Sequence, residues 1–404
     1  MPSWAGRERR VEVRPTTSVT PLVTGSVAVV ADGGAVTGLR LADGRPRWRW
    51  TSGQWVDGAW SWRGLVAVLT GGNTARPKLT GLDAATGAVA WTRRLPGYIY
   101  GAPVVTVDGG LAMAGGIPPG ASGPGVLEVV SLASGKVRWA RRTGLFEPLA
   151  VAGRLVLATP DGRRLAGYDA STGAIRWTFG SLADSWFVTP LTGPAVVTWA
   201  DPPSAGTTLL AAIDAATGRV RWQLDPQPRG GDDMGPLVTL PARGWPAVLA
   251  ADYLPGRLWL VSGRNGRVRW SVPAPLVPGT APLAAGPGVV AFETPGAASS
   301  PVTPTMSLVG RDAGTGVVRW ARRLPVPVSA PAVRAGPDIV LNPDRSLTDG
   351  EPSDVLLAFR ADTGRPAWGV TLPAPAAAPQ VPAPGGLLVQ AGHDAAGCAI
   401  RPGG

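Results

Sequence analysis

The chain of 404 residues has almost no histidine or cysteine, since His393 and Cys398 are the only ones. A single cysteine cannot form an intrachain disulfide. A single histidine excludes a multi-histidine metal centre and makes a serine–histidine relay a poor hypothesis. No Walker-type glycine-rich sequence is present to hold nucleotide phosphates. The sequence therefore predicts no catalytic residue, no metal site and no cofactor.

Long hydrophobic runs are also missing. No stretch of about eighteen apolar residues occurs, so the sequence predicts no transmembrane segment. The first ten residues lack the apolar core of a signal peptide. As written, the sequence predicts a cytoplasmic protein, whereas a missing true N-terminus would make it exported or membrane-anchored.

Lysine is scarce as well, because Lys78 and Lys136 are the only two and arginine carries almost all of the formal net charge of +11. We interpret this as a codon-composition bias rather than a polyanion-binding surface, because many of the arginines belong to a repeat and would be spread around the molecule. No concentrated basic stripe or aromatic-rich nucleic-acid module stands out, so no nucleic-acid partner is predicted.

What the chain does have is a repeat that ends in tryptophan. Each copy places a glycine four residues before the tryptophan and a small turn residue before the glycine. Four copies open with aspartate, at Asp83, Asp169, Asp214 and Asp312, and arginine precedes the tryptophan in six copies. The eight tryptophans are Trp48, Trp91, Trp139, Trp177, Trp222, Trp270, Trp320 and Trp368.

The repeat predicts a tight turn between two strands. Glycine supplies a positive φ, and the Thr, Ser, Asn or Asp before it can hydrogen-bond to the turn backbone. Successive tryptophans lie 38 to 50 residues apart, roughly the period of a four-stranded propeller blade. Short runs of Val, Leu and Ala bounded by Gly and Pro indicate strands, and the abundant proline argues against helices. The predicted fold is an all-β propeller.

The pattern Ala-x-Asp-x-x-Thr-Gly-x-x-x-Trp, present in residues 211–222 and nearly so in 167–177, resembles the tryptophan-docking motif of PQQ-like (quinoprotein-type, BamB-like) β-propellers. The resemblance implies about eight four-stranded blades, with the eight tryptophans as structural docking residues. It also implies two functional classes, the quinoprotein dehydrogenases and the non-enzymatic BamB-like propellers. Those dehydrogenases use an adjacent cysteine pair, which this chain cannot supply, so we expect no dehydrogenase activity.

The domain organisation follows from the repeat. We expect an N-terminal segment at 1–18 that could supply a ring-closing strand, an eight-bladed propeller at 19–372, and a closing or capping segment at 373–404. The last segment reads like three strands of a further unit without its tryptophan strand, so a literal count gives nine units. We predict eight, with the chain ends closing the ring.

The candidate binding residues lie in the links between one unit and the next. Outer-to-inner links share a face with the loops between second and third strands, and loops carried by a rigid scaffold often bind ligands. These residues could instead pack between blades; as a rim they would suit a sugar, a peptide or a flat cofactor. The candidates are Trp55, Asp57, Tyr98, Tyr100, Phe146, Glu147, Asp184, Trp186, Phe187, Asp232 and Asp233.

For function, the sequence favours a non-catalytic propeller that acts as a protein–protein interaction scaffold or a ligand-sensing module. The alternative is a quinoprotein-like oxidoreductase or another small-molecule-binding propeller. We expect an unidentified protein partner and a monomeric chain.

Overall fold

The computed structural model describes part of the chain in detail. The described residues are 21–72, 74, 76–116, 125–143, 148–160, 164–180, 186–190, 195–200, 209–224, 238–240, 247–252, 256–274, 283–285, 288–293, 307–324, 332–341, 355–371, 381–383, 386–391 and 396–400.

The described residues form 35 strands. Sheets 1 to 3 contain β1 (Leu22–Thr24), β2 (Val27–Asp32), β3 (Ala35–Arg40) and β4 (Pro46–Thr51); β5 (Val56–Trp62), β6 (Leu65–Thr70), β7 (Lys78–Asp83) and β8 (Val89–Arg94); and β9 (Ile99–Val105), β10 (Gly110–Gly115), β11 (Gly125–Ser131) and β12 (Val137–Thr143). Sheets 4 to 6 contain β13 (Pro148–Ala152), β14 (Leu155–Ala158), β15 (Leu165–Asp169) and β16 (Ile175–Phe179); β17 (Trp186–Pro190), β18 (Ala195–Ala200), β19 (Leu209–Asp214) and β20 (Val220–Leu224); and β21 (Val238–Leu240), β22 (Ala247–Asp252), β23 (Arg257–Ser262) and β24 (Val268–Pro273). Sheets 7 to 9 contain β25 (Leu283–Ala285), β26 (Gly288–Glu293), β27 (Ser307–Asp312) and β28 (Val318–Arg323); β29 (Val333–Ala335), β30 (Asp338–Leu341), β31 (Val355–Arg360) and β32 (Pro366–Thr371); and β33 (Val381–Ala383), β34 (Gly386–Ala391) and β35 (Ala396–Ile400).

Every sheet is an antiparallel meander in chain order, and each strand pairs with the one before it. Inner strands of successive sheets lie beside one another, as β1 does with β5 and β9 with β13. In a meander, the turn between first and second strands and the turn between third and fourth strands lie at the same end. The link to the next sheet lies at the opposite end, with the loop between second and third strands.

Burial follows the position of a strand within its sheet. The second strands are buried along almost their whole length, as in β10 and β14, because neighbouring sheets cover both faces. The fourth strands alternate, with exposed residues around a buried tryptophan, as in β16 and β20. The hydrophobic core is therefore a series of layers between consecutive sheets, each joining apolar side chains of two sheets.

The all-β class predicted from the sequence is confirmed, but the number of units needs correction. The described residues contain nine sheets, eight with four strands and a ninth with three, rather than eight units alone. The ninth sheet has no tryptophan strand in the described residues, and it lies in the segment 373–404 that we expected to cap the ring. The expected N-terminal strand at 1–18 falls outside the described residues.

Candidate functional site

The turn between the third and fourth strands is built around an aspartate carboxylate. In sheet 2, Asp83 Oδ1 accepts hydrogen bonds from the backbone N–H of Ala85 at 3.1 Å and of Thr86 at 2.8 Å, and from the Thr86 hydroxyl at 2.7 Å. Gly87 has a φ of 73° and donates its N–H to the carbonyl of Asp83. The positive φ explains the glycine, and the carboxylate explains the aspartate four residues before it.

Each turn then receives the tryptophan of the preceding sheet. In seven successive cases the indole Nε1–H donates to the carbonyl three residues before the turn glycine of the next sheet, at 2.8 to 3.2 Å. The pairs are Trp48 with Ala84, Trp91 with Leu132, Trp139 with Ala170, Trp177 with Ala215, Trp222 with Gly263, Trp270 with Ala313 and Trp320 with Ala361. We call each of these contacts a docking joint.

Glycine on both sides makes room for the indole. A Cβ atom on Gly38, in the same sheet as Trp48, would lie 2.2 Å from the indole, and a Cβ on Gly87, in the next sheet, would lie 2.6 Å from it. The sequence motif contained only the second glycine. The first is found only through the register, because it lies opposite the tryptophan on the third strand.

The eighth tryptophan is held differently. Trp368 Nε1 donates to the Asp338 carboxylate of its own sheet at 3.1 Å, and Arg360 lies 3.4 Å from the other oxygen of Asp338. The prediction that each unit docks on the next therefore needs correction at this sheet. The physical reason is that the described part of sheet 9 ends at its third strand and offers no turn to receive Trp368.

The arginine before the tryptophan also has a structural role. From the sequence, the high arginine content was interpreted as codon bias. Arg176 Nη2 lies 2.7 Å from Asp169 Oδ2, and the same pairs join Arg221 to Asp214 and Arg319 to Asp312. The aspartate lies seven residues earlier, across a hairpin with a β-bulge next to the tryptophan. The co-occurrence of Asp and Arg in these copies was the available signal, but only the bulged register brings the two side chains together.

Hydrogen bonds within these turns lower the pKa values of the aspartates. The Ser171 hydroxyl, followed by Arg176, holds the pKa of Asp169 well below its usual value. The Thr315 hydroxyl, followed by Arg319, lowers the pKa of Asp312. For Asp214, partial burial acts to raise the pKa, but Arg221 and the Thr217 backbone outweigh it and the pKa is lowered. These carboxylates are therefore ionised structural groups at neutral pH.

The opposite end of the sheets carries three of the predicted binding residues. Trp55 is 50 % exposed, Asp57 is exposed and Tyr98 is half-buried. Tyr100, Trp186 and Phe187 lie in described strands, but their side chains fall outside the described residues, as do Phe146, Glu147, Asp184, Asp232 and Asp233 altogether. Whether all eleven form one rim stays a prediction.

Backbone hydrogen bonds tie the three described residues to a common framework. Gly71 N–H donates to the carbonyl of Trp55 at 3.1 Å, and Gly72 N–H donates to Asp57 Oδ2 at 2.7 Å. The carbonyl of Gly72 accepts from Ile99 N–H of sheet 3 at 3.0 Å, directly after Tyr98. We call Gln54, Trp55, Asp57, Gly72 and Tyr98 the first-link surface.

The framework also reaches sheet 1. Val56 N–H donates to the carbonyl of Gly33 at 2.7 Å, and Ser52 N–H donates to that of Gly34 at 2.8 Å. Trp55 thus sits on a link that is anchored to the loops of two sheets. An exposed indole beside an exposed carboxylate can supply apolar contact area and one oriented hydrogen-bond acceptor. Among the described residues, no group of His, Cys, Asp and Glu side chains could hold a metal ion, and no helix is long and apolar enough to cross a membrane.

Comparison with known proteins assigns this architecture to a protein family. A family model described as the outer membrane protein assembly factor BamB matches residues 123–287 and 184–346, which together span more than half of the chain. The chain belongs to this family of PQQ-like, BamB-like β-propellers. The resemblance stated from the tryptophan motif is therefore confirmed. A search of curated proteins finds no match.

Solved structures agree on the propeller fold. BamB from Moraxella catarrhalis is 17% identical, with a TM-score of 0.53, over 88% of this propeller and 97% of that chain. Quinohemoprotein alcohol dehydrogenase from Comamonas testosteroni is 14% identical, with a TM-score of 0.52, over 95% of this propeller and 71% of that chain. The computationally designed Ika8 protein is 11% identical, with a TM-score of 0.52, over 96% of this propeller and 98% of that chain. At these identities the likeness shows the fold alone, and the β-propeller prediction is confirmed.

Proposed function

We propose that this propeller is a non-catalytic scaffold that binds a protein partner through the first-link surface. The observation that carries the proposal is the half-exposed indole of Trp55 on a link anchored by backbone hydrogen bonds to sheets 1 and 2. Tryptophan and tyrosine dominate the binding energy of many interfaces, because they bury a large area at a low cost in side-chain entropy. A rigid link lowers that cost further.

The separation of the docking joints and the first-link surface at opposite ends of the sheets supports this proposal. The tryptophans and turn aspartates are engaged in docking joints and turns at one end. The first-link surface lies at the other end, so a partner could bind there without disturbing the joints. Family membership supports a protein-binding role, since the matching family is described as an assembly factor. The fold is shared with an alcohol dehydrogenase, so fold likeness does not decide between the classes.

Affinity capture from the native source tests the proposal, with the wild-type protein and two variants. Trp55→Ala removes the exposed indole, and the matched control Val107→Ala removes an apolar side chain that is 67% exposed in the turn between β9 and β10, at the other end of the sheets. We expect a stoichiometric partner that is lost from Trp55→Ala and kept by Val107→Ala, with both melting temperatures unchanged. Equal capture by both variants would contradict a role for the first-link surface.

A second measurement tests the non-catalytic part of the proposal. Thermal melting is followed in a titration with PQQ and Ca²⁺. A ligand that binds only the folded protein raises its melting temperature, so a saturable rise would favour a quinoprotein-like function instead. We expect no shift.

A further inference from the structure

Four of the eight turns lack the carboxylate around which the other four are built, and the turn of sheet 6 is one of them. Ser262 precedes Gly266 by four residues in sheet 6, at the position of Asp83, Asp169, Asp214 and Asp312 in their own turns. In each of those four turns one aspartate oxygen accepts the backbone N–H groups two and three residues later, at 2.8 to 3.1 Å. The equivalent N–H groups in sheet 6 belong to Arg264 and Asn265, and within the described residues neither has a hydrogen-bond acceptor.

The arginine of this turn has no ion-pair partner among the described residues either. Arg269 occupies the position from which Arg176, Arg221 and Arg319 form ion pairs with their turn aspartates. It is exposed, and no carboxylate of the described residues lies within ion-pair distance of it.

Two further exposed arginines, Arg264 and Arg267, lie in the same turn. The segments that join the first and second strands of sheets 5, 6 and 7, residues 191–194, 241–246 and 286–287, contain no Asp or Glu. The aspartates of the two flanking turns, Asp214 and Asp312, are neutralised by their own arginines. The turn of sheet 6 is therefore a concentrated positive site, and the aspartates at its end of those sheets in the described residues are already paired with arginine.

Sheet 3 shows what such an arginine does when its turn aspartate is replaced. Ser131 stands at the aspartate position there, and Arg138 instead binds Asp108 from the turn between β9 and β10, with Nη1 and Oδ2 2.6 Å apart. Arg138 thus takes a carboxylate from another segment, since its own turn supplies none at the aspartate position. In sheet 6 the described residues supply none at all.

We propose that the turn of sheet 6 is an anion-binding site that accepts the carboxylate of an acidic segment of a partner protein. The carboxylate takes the place that aspartate fills in the four related turns, accepts the N–H groups of Arg264 and Asn265, and pairs with Arg269. Arg264 and Arg267 attract the acidic segment. Charge-assisted hydrogen bonds are stronger than bonds between neutral groups, and the planar guanidinium matches the geometry of a carboxylate. This site is independent of the first-link surface and lies at the opposite end of the sheets.

Fluorescence anisotropy with a labelled, glutamate-rich octapeptide tests the site, with the glutamine counterpart as control ligand. We expect saturable binding of the glutamate peptide alone. Ser262→Asp supplies the missing carboxylate from within the chain, so it should pair with Arg269 and weaken binding by about tenfold or more, as expected for one charge-assisted contact. Four related turns already hold aspartate there, so this variant should fold, and its melting temperature checks that it does.

The matched control is Arg323→Gln, which changes the net charge by the same single unit at an exposed arginine elsewhere. Equal weakening by Ser262→Asp and Arg323→Gln would show a non-specific charge effect and overturn the proposal. Asp312→Ser provides the reciprocal test, since it removes the carboxylate that pairs with Arg319 and should raise the stoichiometry towards two. Equal binding of the two peptides, or binding of inorganic phosphate but not of the glutamate peptide, would also overturn it.

Discussion

At the scale of single residues, the docking joints depend on glycines that leave space for an indole. Gly218 has a φ of 71°, and an added Cβ would lie 2.5 Å from Cγ of Trp177. Gly153 has a φ of 58°, and an added Cβ there would meet no atom within 4 Å. The two positions share a strained backbone for any other residue, but only one has a neighbour in the way.

Replacing each of these glycines by alanine separates backbone strain from overpacking. We expect Gly153→Ala to cost about 1–2 kcal/mol, the strain of a left-handed L-residue. Gly218→Ala should cost about 1–3 kcal/mol more, because Trp177 must move out of its joint. Urea denaturation measures both. Equal losses would mean that the close approach of glycine and indole is not part of the joint.

A buried carboxyl between sheets 2 and 3 is the second residue-scale feature. Glu128 is 5% exposed, and its Oε2 lies 3.4 Å from Arg93 Nη2 of sheet 2. Burial raises the pKa of Glu128, and the attraction of Arg93 offsets this only in part. Because the folded protein binds the proton more tightly than the unfolded chain, ionisation of Glu128 costs stability as the pH rises through its folded pKa.

Glu128→Gln should remove that cost. We expect the variant to be as stable as the wild type or more stable at pH 7, and to lose this advantage below about pH 4, where the wild-type glutamate is also neutral in both states. Denaturation at a series of pH values measures the difference. A variant that is clearly less stable at pH 7 would show that the ion pair with Arg93 outweighs the burial of the charge.

At the scale of elements, ionisation of the turn aspartates stabilises the folded protein, whereas ionisation of Glu128 destabilises it. The pKa values of Asp169, Asp214 and Asp312 are lowered in the folded protein. A lowered folded pKa contributes stability above the unfolded value of about 3.9 and loses it as the pH falls through the folded pKa. Acid should therefore weaken these hairpins first at their turns.

The triple variant Asp169→Asn, Asp214→Asn and Asp312→Asn tests this statement. Asparagine keeps an oxygen that can accept the turn N–H groups but cannot ionise. We expect lower stability than the wild type at pH 7 and a smaller loss between about pH 4 and pH 2. A wild-type acid loss that the triple variant fully retains would assign acid sensitivity to other carboxyl groups.

The sequence could predict these elements only in part. The spacing of Gly and Trp predicted the turn and the strand that follows it. Glycine accommodates the positive φ of the turn, and tryptophan recurs at the same position in each fourth strand. The Asp–Arg pairs, the glycine opposite the tryptophan at Gly38 and the acceptor Asp338 all depend on strand register. Register includes a β-bulge at every docking tryptophan, and no local pattern encodes it.

At the scale of the whole molecule, the docking joints link sheets 1 to 8 in chain order. Seven indole hydrogen bonds cross from one sheet to the next, and Trp368 turns back to Asp338. Such an architecture derives its stability from contacts between neighbours. Repetition made the propeller predictable from the sequence. The ninth sheet was less so, because its segment carries the strand pattern without the tryptophan.

The candidate site was predictable to a smaller degree. Trp55, Asp57 and Tyr98 could be assigned to one face by topology, but their connection through Gly71 and Gly72 rests on loop hydrogen bonds that no residue pattern indicates. The missing carboxylate in the turn of sheet 6 was visible in the sequence, because Ser262 stands at the aspartate position. Its meaning required the ion pairs of the related turns.

The most direct test of this account is the stability of Trp222→Ala, measured by urea denaturation beside Trp55→Ala. Trp222 is 8% exposed and donates to the carbonyl of Gly263 at 2.9 Å, whereas Trp55 is half-exposed and outside the joints. We expect Trp222→Ala to lower the free energy of unfolding by about 3–5 kcal/mol, and Trp55→Ala to leave it within about 0.5 kcal/mol. Equal stabilities for the two variants would contradict the claim that tryptophan docking holds the propeller together.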